Sequence, residues 1–140
     1  MTTDANGPVG RTKHGELTLD QIADLQPGMA RLMAEVGDRW WIMYYAAKAG
    51  AWQMARHQYS ELSKAMQMAG VTRPKHRISL EGYIVAKLKP IEGTIRATDW
   101  PGFEAAFQEA TDAANEMHVE LGYEYIVWQL PDEAPKHLKL

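Results

Sequence analysis

Apolar residues recur at intervals of three and four along four stretches of this chain, and that spacing constrains its fold more than any other feature. In the first stretch Met29, Leu32, Met33, Val36, Trp40, Met43, Tyr44 and Ala47 form one stripe of a helix, which Lys48-Ala49-Gly50 ends. In the second, Trp52, Ala55, Tyr59, Leu62, Met66 and Ala69 share a face, with Gly70 as the stop. A connection this short makes the two helices antiparallel neighbours. A third helix spans about 79–97 on Leu80, Ile84, Leu88, Ile91 and Ile95, with Pro90 inside it as a kink or break. Thr98-Asp99-Trp100-Pro101 reads as a cap with an early proline. It opens a fourth helix that carries Phe103, Phe107, Ala110, Ala114, His118 and Leu121 before Gly122.

The rest of the chain flanks these stripes. Residues 1–16 read as a flexible or loosely docked arm, followed by a short helical turn in which Thr18 and Gln21 are spaced as a capping box. Residues 17–131 form the helical body, and an aromatic segment, YEYIVWQLP, leads into a polar, irregular tail at 132–140. No strand-like alternation occurs before residue 123. The expected fold is therefore all-α, an antiparallel four-helix bundle.

Charge and composition exclude several functions. The net charge is −3 and no basic stripe is present, so neither nucleic acid nor an anionic membrane is an expected partner. No apolar run is long enough to span a bilayer. With no cysteine, disulfides, zinc–thiolate sites, thiol nucleophiles and thioether-linked cofactors are all ruled out. The polar opening MTTDANGPVGRTKHGE has no apolar core of a signal peptide, and the expected location is the cytoplasm. Five Trp, six Tyr and eight Met stand against only two Phe. Side chains with polar tips or soft sulfur in that proportion point to a pocket rather than a plain packing core.

The stretch Ala114-Asn115-Glu116-Met117-His118, with Tyr125-Ile126-Val127-Trp128 and Pro131 after it, resembles the haem-attachment region of the cytochrome c′-like four-helix-bundle proteins. There a CxxCH motif lies late in the last helix. The hairpin AAKAGAWQMA, residues 46–55, is similar to the one joining the first two helices in a branch of that family. The resemblance implies a bundle over about 18–131, a homodimer through the first two helices, and His118 as the surviving proximal ligand. Ala114 and Met117 stand where the cysteines would be, so covalent haem is chemically impossible. Trp40 stands where that branch often has a histidine facing the haem. With Trp41, Tyr44 and Tyr45 it competes for porphyrin volume, which disfavours haem b held by His118 alone.

Spacing puts His118 on the apolar stripe and thus toward the interior, where an imidazole can act as an acid or base. The leading expectation is a former haem cavity that binds a small apolar molecule, aromatic by preference. It carries cofactor-independent lyase or isomerase chemistry, with His118 as base and Tyr44 or Tyr59 as proton donor. Arg39, Trp40, Trp52, Tyr83, Lys87, Phe107, Ala114 and Tyr125 are candidates to line it. The alternatives are a non-catalytic binding protein or sensor, a non-covalent haem protein, and a scaffold with no pocket. No metal site is expected, because the carboxylate-bridged di-iron bundles need Glu-x-x-His on two helices and no such pair occurs.

Overall fold

A computed structural model of the protein describes residues 7–140. Most of the chain is helical: α1 (Leu19–Leu25), α2 (Met29–Lys48), α3 (Trp52–Thr72), α4 (Arg77–Tyr83), α5 (Lys89–Arg96) and α6 (Trp100–Glu120). The long α2 and α3 make the most extensive contact, and α6 packs on α2 and α5. Phe103, Met43, Leu62, Ile91 and Val36 are the largest side chains sealed between them.

The N-terminal expectation needs correction. Among the described residues the arm contains two short antiparallel strands, β1 (Val9–Thr12) and β2 (Gly15–Thr18), with Val9 opposite Thr18 and Thr12 opposite Gly15. The Thr12 hydroxyl donates to the Gly15 carbonyl at 3.0 Å and accepts from the His14 N–H at 3.0 Å, closing the turn. Strands of four mostly exposed residues bury no face, so they leave no alternating pattern to read. Residues 1–6 of the expected arm lie outside the described residues. The capping box at Thr18 and Gln21 is present and starts α1.

Helix ends follow the local chemistry, with one exception. Gly50 and Gly122 adopt positive φ and terminate α2 and α6. At the second, Tyr123 N–H reaches back to the His118 carbonyl at 2.7 Å and Gly122 N–H to Val119 at 3.1 Å. This pattern satisfies the orphan carbonyls of the last turn and reverses the chain. Gly70, expected as a stop, is instead interior to α3. A Cβ there would sit 3.3 Å from Arg77 Cγ, so glycine serves the close approach of the next helix and α3 continues to Thr72.

Pro90 has the anticipated disruptive effect in a specific form. A π-helical turn, Ile84–Leu88, separates α4 from α5, and Lys89 N–H donates to the Ile84 carbonyl five residues back. A proline has no N–H to offer the preceding turn and its ring crowds it, so the helix widens before Pro90 rather than breaking. Asp99 caps α6 by accepting from Gly102 N–H at 3.1 Å.

The same connection carries backbone strain. Thr98 sits at φ 49°, while Thr98 N–H bonds to Ile95 and Asp99 N–H to Thr94. A glycine-type helix stop is thus built on a β-branched residue, at a cost of about 1–2 kcal/mol. Thr98→Gly is expected to stabilise the fold by up to about 1 kcal/mol after the flexibility of glycine in the unfolded chain is subtracted. A higher midpoint in urea unfolding checks this, and a lower one contradicts it.

Candidate functional site

Five of the eight methionines line a single cavity: Met29, Met33 and Met43 from α2, Met66 from α3 and Met117 from α6. Val36, Trp40, Leu62, Leu80, Leu88, Ile91, Ala110, Ala114, Leu121 and Trp128 complete the apolar wall. The polar side chains reaching it are His76, Ser79, Tyr83, Thr111 and His118. The free volume is about 60 Å³, enough for a few waters, so a larger occupant has to displace side chains. Methionine is suited to that, being unbranched with three rotatable bonds and a polarisable sulfur.

Most polar groups of this wall are already engaged. Trp40 Nε1 donates to Thr111 Oγ1 at 3.0 Å, and that hydroxyl donates to the Phe107 carbonyl at 2.9 Å. The Trp40 ring stacks on Phe107 with centroids 5.2 Å apart, and Trp128 meets it edge-on at 5.2 Å. The Tyr83 hydroxyl donates to the Ala110 carbonyl at 2.7 Å, and burial pushes its proton affinity far above the ordinary phenol value. Tyr83 is therefore a fixed structural donor at neutral pH.

His118 differs. Its Nδ1 lies 3.0 Å from the Ile126 carbonyl oxygen. A carbonyl can only accept, so Nδ1 carries the proton and the neutral imidazole keeps its lone pair on Nε2. One turn earlier on α6, Asn115 clamps the same segment. Its Nδ2 donates to the Trp128 carbonyl at 3.1 Å, and its Oδ1 accepts from Trp128 N–H at 2.7 Å. Two side chains of α6 thus hold residues 126–128 against the cavity, and Trp128 contributes to its wall.

Of the residues expected at the site, the structure brings His118, Trp40, Tyr83 and Ala114 together, with Phe107 directly behind Trp40. Neither expected proton donor joins them. The Tyr44 hydroxyl bonds to Glu104 at 3.1 Å, and its ring packs against Trp100 and Tyr45. Tyr59 is buried, but it lines a separate groove between α3 and α5. Helical spacing puts both on inward stripes, but it does not set their height relative to His118, which lies on a different helix.

Four other candidates also lie elsewhere. Arg39 bonds to Glu35 at 3.0 Å and to the buried Gln58 at 3.1 Å, bridging α2 and α3. Trp52 packs edge-on against Phe103. Lys87 pairs with Glu109 at 2.8 Å. Tyr125 is 76% exposed. Trp41 and Tyr45, expected to crowd a porphyrin, instead secure the tail through the Glu133 and Pro131 carbonyls at 2.9 and 2.5 Å. Sequence reasoning missed His76, Thr111 and the methionines of the wall; the excess of methionine was the one signal for them.

The fit to haem is poor. The imidazole has the right second hydrogen bond for an axial ligand, but Trp40 and Trp128 share the cavity with it and the free volume is far below that of a porphyrin. No cluster of three or more His, Cys, Asp or Glu suited to a metal ion occurs among the described residues. No helix among them is long and apolar enough to cross a membrane.

Nitrogen NMR of His118 is expected to report the Nδ1–H tautomer at a pH where the ring is neutral. Asn115→Ala, which strips both partners from the Trp128 backbone, is expected to cost about 1–3 kcal/mol in urea unfolding. It should also raise amide exchange at 126–128. An Nε2–H tautomer, or exchange unchanged in the variant, contradicts the assigned contacts.

Comparison with known proteins gives no match among family models, curated proteins or solved structures.

Proposed function

We propose that this protein is an intracellular antiparallel four-helix bundle that binds a small apolar, preferably aromatic, molecule in the methionine-lined cavity. The observation that carries this reading is the wall itself. It is apolar and built largely of adaptable thioethers, and its fixed polar groups are already satisfied. Such a wall gains by burying apolar surface and loses little by rearranging. Aromatic contacts to Trp40, together with the soft sulfur atoms, favour a flat ring over an aliphatic chain.

A second reading is favoured by the Nδ1–Ile126 contact. It leaves Nε2 as the cavity's candidate acid or base, and one group shuttling a single proton suits a cofactor-independent isomerisation or elimination. Tyr44 and Tyr59 have no part in this version. The proton donor to the product is the same imidazole, or water.

Indole and naphthol are suitable probes. Either is expected to raise the unfolding temperature, by an amount corresponding to about 1.4 kcal/mol at tenfold excess over the dissociation constant. Ala114→Phe fills the cavity from α6 and is expected to remove that shift while the protein stays folded. A shift of equal size in this variant overturns the binding site. His118→Gln is expected to keep the thermal shift and to lower turnover of any accepted substrate by at least about a hundredfold. Unchanged turnover removes the catalytic reading and leaves the binding one. A Soret band that appears on adding haem and disappears in His118→Gln would replace both.

A further inference from the structure

Three of the polar side chains at the wall of the methionine cavity have each spent a hydrogen on a main-chain carbonyl. The Tyr83 hydroxyl donates to Ala110 at 2.7 Å, the Thr111 hydroxyl to Phe107 at 2.9 Å and His118 Nδ1–H to Ile126 at 3.0 Å. All three carbonyls belong to α6 or to the segment that follows it. A hydroxyl and a neutral imidazole have one hydrogen apiece to give, so what these side chains have left is lone pairs.

The three acceptors are not equivalent. Thr111 Oγ1 already accepts from Trp40 Nε1 at 3.0 Å. The lone pair on His118 Nε2 is that of a neutral imidazole and is the most basic of the set. The remaining polar side chains at the wall, His76 and Ser79, keep hydrogens of their own; Ser79 is exposed and His76 half-buried, so water competes for both. No Lys, Arg, Asp or Glu lines the cavity among the described residues, so a charge placed in it lacks a counter-ion.

We propose, resting on the binding reading above, that the ligand is an uncharged ring carrying a hydrogen-bond donor, an O–H or N–H, which it places on His118 Nε2. Ethers, ketones and carboxylates bring lone pairs to a wall of lone pairs, and neither side then has a hydrogen to share. A donor gains the strongest neutral acceptor of the wall, while the rest of its ring displaces methionine side chains. Selection of this kind is sharper than apolar packing alone allows, because the wrong partner leaves buried polar groups unpaired.

Indole and benzofuran test this, since they have nearly the same shape and differ in one ring position, N–H against O. Dissociation constants for both are measured by amide NMR titration and corrected for each probe's transfer from water to cyclohexane. On that scale indole is expected to bind at least about tenfold tighter. It should also move the His118 Nε2 nitrogen resonance toward the protonated range, which benzofuran leaves in place. His118→Leu is expected to cut the preference for indole to about threefold or less, with benzofuran's own affinity within about twofold of the parent's. The Nε2 resonance is read in the parent protein, so it decides the matter even where that variant fails to fold. Equal corrected affinities in the parent, equal Nε2 shifts with the two probes, or a full preference retained in His118→Leu each overturn the proposal. Equal affinities with both probes bound leave the apolar binding reading standing, whereas failure of both to bind overturns that reading as well.

Discussion

Phe103 and Phe107, one turn apart on α6, form the contact on which the rest of the structure depends. Both are essentially sealed from solvent, and their rings stack at 5.7 Å. Four further rings meet one of them: Trp40 and Tyr44 from α2 meet Phe107, and Trp52 from α3 and Trp100 at the start of α6 meet Phe103. Each such ring buries enough area that its loss typically costs about 3–5 kcal/mol. The column therefore fixes the depth at which α6 sits against α2 and α3. That depth in turn decides which residues of α6 face space and which face rings. Ala110, Ala114 and His118, further along the same stripe, run past the end of the column, and the cavity begins where the rings stop.

Helical spacing made the helices and their inward faces legible. It placed α2, α3 and α6 closely, and the caps at Thr18 and Asp99 and the stop at Gly122 each rest on one local hydrogen-bond pattern that sequence states directly. It did not give the hairpin at 9–18, whose pairing is polar and exposed, or the true role of Gly70, which answers to a neighbouring helix. The same limit applies to the site. Periodicity assigns a direction around a helix axis and not a position across the interior, so His118, Tyr44 and Tyr59 read alike although they serve different surroundings. Tyr83 and the methionines lie at the same end as His118 because the chain arrives there four separate times, and only packing reveals that.

Ala114, Met117, His118 and Trp40 each have a definite place in the interior. Ala114 leaves space beside His118, and Met117 supplies a flexible wall. Trp40 closes the middle of the interior through Thr111 and Phe107. The imidazole has the Ile126 carbonyl behind it, an acceptor that holds the ring in one tautomer.

The irregular C-terminal segment has a consequence beyond closing the interior. The Ile126 carbonyl orients the imidazole and Trp128, two residues on, lines the cavity, in a segment anchored to Asn115 and His118 one turn apart on α6. The orientation of the imidazole and one wall of the cavity consequently rest on the same short segment. Displacing the segment would remove two things at once, the acceptor that keeps the proton on Nδ1 and the indole that forms one wall of the cavity.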